Sequence, residues 1–218
     1  SKNSAIIISL IVYLIFLATV LAISEFSGRP LIVFFGMWAL ITWWYSDTIF
    51  LGRLVGFRIK THFVGEFVTY LLAYPLYTVG VWLIYTDLNV KGVVFSLIMG
   101  VFAISGLMLK DLKDISADRM AGFKTFGAVF PPSELIKFAC YLLILYNILI
   151  FSFAYLKVFN YQVLLIVLPF IVFLKFTFCH FWRKKWRLEL SDSNAIGIML
   201  SSTYASFILF GFGSVLNF

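Results

Sequence analysis

The sequence predicts an all-α integral membrane protein that folds as a bundle of about seven transmembrane helices. Of its 218 residues, 62% are hydrophobic and only 12% are charged, whereas an ordinary soluble domain carries roughly 25% charged residues. The mean hydropathy of +1.02 agrees with this composition. Disordered chains are poor in apolar residues and are therefore excluded. A secreted domain held together by disulfides is excluded too, because the chain has only 2 cysteines.

Each predicted helix is an apolar stretch that is long enough, or nearly so, to cross the hydrocarbon core, which takes about 20 residues. The second stretch is the shortest, and we expect it to be tilted or extended by flanking apolar residues. No linker or internal repeat divides the chain, so we expect a single transmembrane domain over residues 1–218. The seven stretches lie at about 5–24, 31–45, 63–86, 92–110, 134–156, 161–180 and 195–216.

Positive charge alternates along the chain together with the length of the gaps between spans. The gaps after the second, fourth and sixth spans are long and polar, and their side of the membrane holds 14 of the 17 Lys and Arg residues. Only Arg29, Lys91 and Lys157 lie on the other side. Because basic residues concentrate in cytoplasmic loops, the sequence predicts that the long gaps are cytoplasmic. The net charge of +7 is then explained by basic residues that orient the chain and attract anionic lipid headgroups. We expect no nucleic-acid partner.

The densest cluster of charge follows the fourth span directly. Asp111, Asp114 and Asp118 are spaced so that a helix would place all three carboxylates on one face. Hard carboxylate oxygens without Cys or His suit Mg²⁺. Lys113, Arg119 and Lys124 are near enough in sequence to bind phosphate oxygens. The alternative interpretation is a solvated cytoplasmic loop of mixed charge. Ionisable residues at the edge of a membrane span favour the functional interpretation.

The segment DLKDISADRMAGFKT resembles the second aspartate-rich motif of the UbiA superfamily of intramembrane prenyltransferases. That motif reads roughly D-x-x-D-x-x-x-D-R-x-x-G-x-x-T and lies at the cytoplasmic end of a helix. The usual Asn before its first Asp is replaced here by Lys110. This motif is far more specific for the family than a bare D-x-x-x-D. The positions in register are Asp111, Asp114, Asp118, Arg119, Gly122, Lys124 and Thr125.

A second, looser resemblance lies two spans earlier. In the family, a helix ends in Tyr-Ser and is followed by a basic loop and then by a small residue and an acid. Tyr45-Ser46 and Gly65-Glu66 match the two ends of this pattern. The basic loop between them is longer than in many members, and the sequence leaves open which of its side chains corresponds to the family's phosphate-binding one. The candidates are Arg53, Arg58 and Lys60.

The chain also departs from the family pattern. Family members have about nine spans and a first motif, N-D-x-x-D-x-x-x-D, at the end of the second span. No segment of this sequence matches that motif. If the register is right, the seven stretches correspond to spans three to nine. We therefore expect the first two spans, with the first motif, to precede Ser1.

The resemblance implies Mg²⁺-dependent transfer of a prenyl group from a prenyl diphosphate to a lipophilic or aromatic acceptor, such as a quinone precursor. In that chemistry Asp111, Asp114 and Asp118 would be catalytic and would hold the metal. Arg119 and Lys124, with the basic loop, would bind the diphosphate. Aromatic walls would shield the allylic cation from water. The candidates for those walls are Tyr45, Tyr70, Tyr74 and Tyr77. Packing or lipid contact is the alternative for the tyrosines of the third span.

Other classes of membrane protein are compatible with parts of the sequence. CDP-alcohol phosphotransferases also use aspartates at a helix end, but their motif needs a D-G dipeptide that this chain lacks. A transporter would be expected to carry charge near the bilayer midplane, whereas the span interiors here are nearly free of charge. A non-enzymatic structural subunit and a catalytically inactive remnant stay open at this level.

Overall fold

The computed structural model describes residues 2–47, 51–56 and 58–215, and these are helical, with no strand among them. In the part of the chain that the structure describes, six helices are long and apolar enough to cross a membrane, and a seventh, Leu31–Ser46, is apolar but shorter, at 16 residues. An all-helical, multi-pass membrane protein is thereby confirmed. Each of the seven apolar stretches falls on a helix, and the second is the short one. The six long segments are Ile6–Ser27, Phe63–Tyr85, Val90–Met120, Pro132–Tyr155, Tyr161–Arg183 and Ser193–Ser214.

Within the described residues, ten α-helices follow one another, joined by turns, by 3₁₀ segments and by one π-helical turn. Pro30 stops α1 from continuing into α2, and Pro132 stands in the first turn of α7, where its missing N–H costs nothing. His62 caps α4 by accepting a hydrogen bond from the backbone N–H of Val64. The α-helices are α1 Lys2–Ser27, α2 Leu31–Ser46, α3 Leu51–Val55, α4 Phe63–Tyr85, α5 Val90–Met120, α6 Phe126–Val129, α7 Pro132–Tyr155, α8 Val167–Phe173, α9 Cys179–Arg183 and α10 Ser193–Val215.

The first compact unit comprises Ser1–Gly100. Its core packs α1, α2 and α4 around Phe35, whose ring lies where a Cβ on Gly80 would stand, so Gly80 is needed for this close approach. At one end of the unit Arg29 bonds Asp87 at 2.9 Å and donates to the backbone carbonyls of Leu83 and Ile84. A cation on the last carbonyls of α4 stabilises that helix end. The remaining buried members of the core are Val20, Leu31, Val79 and Leu83.

The second compact unit comprises Val101–Phe218, and its sixth span is not one regular helix. A 3₁₀ segment, Tyr161–Ile166, leads into α8, and a π-helical turn, Leu174–Phe178, separates α8 from α9. The buried hydroxyl of Thr177, inside that π turn, donates to the carbonyl of Ala195 in α10 at 3.0 Å. The core of this unit is formed by Ile136, Cys140, Leu143, Phe173, Phe181, Ala195 and Met199.

Helix α5 is longer than the apolar stretch from which it was predicted. The sequence predicted a span over 92–110 and a polar gap from 111, whereas the helix runs from Val90 to Met120. The extra turns form because Leu112 packs against the core of the second unit, and because the chain after the helix folds back onto it. The aspartate-rich motif therefore stands on a helix that continues the fourth span.

Candidate functional site

The motif folds as a helix end followed by a returning segment. Helix α5 ends at Met120, and Gly122 has the left-handed φ of +70° that reverses the chain. The backbone N–H of Gly122 donates to the Arg119 carbonyl, and that of Phe123 donates to the Asp118 carbonyl. This pair of bonds is the usual C-terminal closure of a helix by glycine. The motif glycine is thus explained by backbone geometry, and residues 123–127 run back along α5.

Two of the three aspartates hold this returning segment. Asp118 Oδ2 accepts a 2.6 Å hydrogen bond from the hydroxyl of Thr125. Asp111 Oδ2 accepts a longer one, at 3.4 Å, from the backbone N–H of Gly127. Thr125 precedes α6 but makes no side-chain cap to it, because its hydroxyl is used by Asp118. Asp111 therefore serves as the cap of α6 from another helix, in the place that an N-cap side chain normally fills.

Gly127 is required where the two segments meet. A Cβ on this residue would overlap the backbone carbonyl oxygen of Asp111 and would stand 3.1 Å from the side chain of Ile115. Only glycine allows the backbone of α6 to lie this close to α5. This glycine lies just beyond the recognised motif, and sequence reasoning did not single it out.

The three aspartates differ in exposure. Asp111 is 0% exposed, and its other carboxylate oxygen lies 3.3 Å from Lys110 Nζ. Asp114 and Asp118 are half-buried, and Arg119 and Lys124 are exposed. The arrangement gives two partly accessible carboxylates with exposed cations beside them, and a third carboxylate that is committed to protein hydrogen bonds.

The donor chemistry fits Mg²⁺ at two of the three carboxylates. Mg²⁺ is usually held by one or two carboxylates together with water and substrate phosphates, which Asp114 and Asp118 can supply. Asp111 does not fit, because it is wholly buried and its oxygens face a backbone N–H and a lysine. Within residues 2–47, 51–56 and 58–215 no group of three or more His, Cys, Asp or Glu side chains could by itself hold a metal ion.

The basic loop predicted to bind diphosphate belongs to the first unit. Arg53 is exposed on α3, Arg58 precedes a 3₁₀ turn, Ile59–Thr61, and Lys60 lies within that turn. Asp47 supports the loop by accepting a 3.1 Å hydrogen bond from the backbone N–H of Gly52. The lone acid after Tyr45-Ser46 therefore has a structural role. Residues 48–50 and 57, which the predicted basic gap includes, lie outside the described residues.

The candidate tyrosines lie around one cavity of about 330 Å³ between α2 and α4 in the first unit. The rings of Tyr70 and Tyr74 are stacked with centroids 5.3 Å apart, and Tyr45 meets Tyr70 edge-on at 6.5 Å. Trp38 and Tyr77 complete the aromatic wall. The hydroxyl of Tyr45 donates to Oε1 of the buried Glu66 at 3.1 Å. The structure thus brings the four candidate tyrosines together and adds Trp38 to them.

A polar cluster surrounds the buried Asp192 in the second unit, and sequence reasoning, which gave Asp192 only as a possible cap of the last span, did not assemble it. Asp192 is 2% exposed and accepts hydrogen bonds from His180 at 2.7 Å, from Lys184 at 2.9 Å and from the backbone N–H of Glu189 at 2.8 Å. Burial on its own would raise the pKa of Asp192, but these hydrogen bonds lower it to about 2. Glu189 and Asp192 form a capping box over the turn before α10. Their spacing of three residues was the available signal.

Comparisons with known proteins give one relative of unknown role. The chain is 32% identical over 178 residues to an uncharacterized protein of Archaeoglobus fulgidus, an alignment that covers 82% of this chain and 61% of the relative. No protein-family model matches the chain, and no solved structure matches it. The chain thus spans about three fifths of the length of this archaeal relative.

Proposed function

We propose that the chain is a prenyltransferase of the UbiA type, which moves an isoprenoid group from a prenyl diphosphate to a lipophilic or aromatic acceptor within the membrane. One observation carries this proposal. Asp114 and Asp118 are partly accessible on a helix that continues a membrane span, with Arg119 and Lys124 exposed beside them. This combination suits the diphosphate of a substrate whose tail is soluble only in lipid.

The residues of the motif would divide the work. Asp114 and Asp118 would hold Mg²⁺, which neutralises diphosphate charge when it is bound. Thr125 fixes one oxygen of Asp118 by its 2.6 Å hydrogen bond and so orients the carboxylate. Arg119 and Lys124 would donate to phosphate oxygens. Asp111 would be a positioning residue, because it touches the backbone of Gly127 and not the accessible face.

The reaction would be a substitution at the first carbon of the prenyl chain. The bond between that carbon and the diphosphate oxygen breaks, and its electron pair leaves with the diphosphate. The acceptor supplies the electron pair for the new bond to the prenyl carbon and loses one proton to solvent or to a base. Cations near the departing oxygens stabilise the negative charge that develops there.

The orientation of the chain belongs to the same proposal. With 14 of 17 basic residues on the side of the long gaps, the aspartate-rich motif faces the cytoplasm. Water-soluble prenyl diphosphate headgroups would then reach the site from that compartment, while the prenyl tail lies among the spans.

The proposal is tested with the full-length protein in lipid nanodiscs. Mg²⁺ together with geranylgeranyl diphosphate should raise the melting temperature of the wild type, because a ligand that binds only the folded state stabilises it by mass action. Geranylgeranyl transfer to a panel of phenolic and quinol acceptors is measured in parallel. Asp114→Asn and Asp118→Asn should lose both signals, and the rate of transfer should fall by roughly 10²–10³.

The matched control is Asp87→Asn, which changes an exposed aspartate between α4 and α5 in the first unit. This variant should keep the ligand-dependent shift and the rate of the wild type. A wild type that shows neither a shift nor transfer would favour the inactive remnant or a non-enzymatic subunit. If the ligand still raised the melting temperature of Asp118→Asn, the motif would not be the diphosphate-binding site.

A further inference from the structure

The cavity between α2 and α4 is built from aromatic faces and hydroxyls, and among the described residues no charged side chain lines it. Tyr70 and Tyr74 present two successive rings on one face of α4, with Trp38 on α2 also lining the cavity. Such a wall suits a flat ring, which gains by stacking. The cavity volume of about 330 Å³ lies at the lower end of small-molecule sites, so the ring system is small.

Thr69 supplies the second, independent observation. Its side chain lines the cavity and is 5% exposed, yet its hydroxyl oxygen has no hydrogen-bond partner within the part of the chain that the structure describes. The hydroxyls of Thr42, Thr78 and Thr203 behave differently, because each donates to the carbonyl four residues earlier at 2.6–2.8 Å. Buried polar groups in proteins are nearly always paired. The Thr69 hydroxyl therefore indicates an occupant that supplies a polar atom.

The charges near the cavity indicate whether its ligand is charged or neutral. The nearest ionisable contact in the wall is the buried Glu66, which accepts from the Tyr45 hydroxyl at 3.1 Å. No Lys or Arg of residues 2–47, 51–56 and 58–215 lines the cavity to balance an anion, so a carboxylate or phosphate would be repelled and left without a counter-charge. A plain hydrocarbon would leave the Thr69 hydroxyl unpaired. A neutral ring that carries an oxygen satisfies both conditions.

We propose that this cavity binds a neutral, planar ring with a hydrogen-bonding oxygen, of the phenol, quinol or quinone class, and that Thr69 is the residue that recognises the oxygen. The ring's role as the prenyl acceptor rests on the proposed function, whereas its binding does not. The experiment therefore uses no Mg²⁺ and no prenyl diphosphate, so a failure to bind the ring and a failure of prenyl transfer are observed separately.

The experiment measures saturable binding to the full chain in nanodiscs by saturation-transfer NMR, with four naphthalene probes of one shape. They are 1-naphthol, which is neutral and polar; 1-methylnaphthalene, which is neutral and apolar; 1-naphthoate, which is an anion; and 1-naphthylmethylammonium, which is a cation. Nanodiscs with Ala73→Phe, which fills the cavity, correct for probe dissolved in lipid. We expect 1-naphthol to bind the wild type at least tenfold more tightly than the other three probes.

Thr69→Val removes the hydroxyl and keeps the branched shape, so it should fold as the wild type does. Its affinity for 1-naphthol should fall about 3- to 10-fold, the effect of one neutral hydrogen bond, while that for 1-methylnaphthalene should not change. Thr78→Val is the matched control, since this buried threonine of α4 donates to the Tyr74 carbonyl and does not line the cavity. It should leave both affinities unchanged.

Three results would overturn the proposal. Equal binding of 1-naphthol and 1-methylnaphthalene, unaffected by Thr69→Val, would identify a hydrocarbon site of the kind a prenyl tail occupies. Tightest binding of the ammonium probe would identify a cation-binding site formed by the aromatic rings and Glu66. The absence of saturable binding of any probe to wild-type nanodiscs of unchanged melting temperature would mean that the cavity is only a gap in packing.

Discussion

The hydroxyl of Thr125 donates a 2.6 Å hydrogen bond to Oδ2 of Asp118, seven residues earlier in the chain. This contact joins the last turn of α5 to the segment that returns along it. It also explains the threonine three residues after the motif glycine. Gly122 reverses the chain, and Thr125 bonds the returning segment to α5. The charged face of the motif is therefore held in place before any ligand binds.

The three aspartates should separate into two classes when each is replaced by asparagine. Asp111→Asn leaves a buried amide group beside Lys110 in place of a carboxylate, which should lower the free energy of unfolding by about 1–3 kcal/mol. Asp114 and Asp118 are half-buried. Asp114→Asn and Asp118→Asn should therefore change the free energy of unfolding by less than about 0.5 kcal/mol. Thermal unfolding in detergent measures the difference. A stable Asp111→Asn would contradict the capping role of this residue.

Gly127→Ala should destabilise the protein by about 1–3 kcal/mol, because the added Cβ would overlap the Asp111 carbonyl oxygen. It should reduce prenyl transfer although no charged group is altered. Gly106→Ala is the control on α5 itself, since a Cβ there meets nothing within 4 Å. That substitution should be neutral or stabilising by up to about 1 kcal/mol. Unfolding and transfer assays on the pair separate backbone approach from a general effect of glycine replacement.

The buried Asp192 should contribute more to stability than an exposed aspartate with an equally short ion pair. Asp192→Ala leaves the Glu189 N–H without its acceptor, whereas Lys184 keeps the Glu189 carboxylate, and the variant should cost about 1–3 kcal/mol. Asp87 is 88% exposed and bonds Arg29 at 2.9 Å; its replacement by Ala should cost no more than about 1 kcal/mol. Equal shifts of melting temperature in the two variants would show that burial is not the deciding factor.

The pKa of about 2 at Asp192 predicts how stability depends on pH. An unfolded aspartate has a pKa near 3.9, so the folded state binds the proton more weakly. The stabilisation from this group is fully present above about pH 4 and is lost as the pH falls toward about 2. The difference in unfolding free energy between the wild type and Asp192→Asn should shrink over that range. A difference that stays constant from pH 5 to pH 2 would contradict the assignment.

Membrane orientation is tested with single-cysteine variants in a background of Cys140→Ala and Cys179→Ala. Ser116 is exposed on the motif end of α5, and Thr86 is exposed at the end of α4 in a short gap. In intact cells a membrane-impermeant maleimide should label Thr86→Cys and not Ser116→Cys. Permeabilised cells should give labelling of both. Outside labelling of Ser116→Cys alone would reverse the proposed orientation.

Composition and the spacing of apolar stretches were enough to predict an all-helical membrane protein, because crossing the hydrocarbon core imposes length and hydropathy on each helix separately. The spacing of Asp111, Asp114 and Asp118 likewise placed them on one helix face, since helical periodicity is local. These properties depend on neighbouring residues in the chain, and the sequence displays them directly.

The tertiary structure decided what depends on residues distant in sequence. Only packing shows that Asp111 is buried against Gly127 while Asp114 and Asp118 stay partly accessible. The same holds for the unpaired Thr69 hydroxyl in an aromatic cavity, and for Asp192 gathering His180 and Lys184. Burial and hydrogen-bond partners arise from the approach of separate helices. Residues of one type on one helix face can therefore have different environments. The physical reason is that helical periodicity sets which face a side chain occupies, whereas the neighbouring helix sets what that face meets.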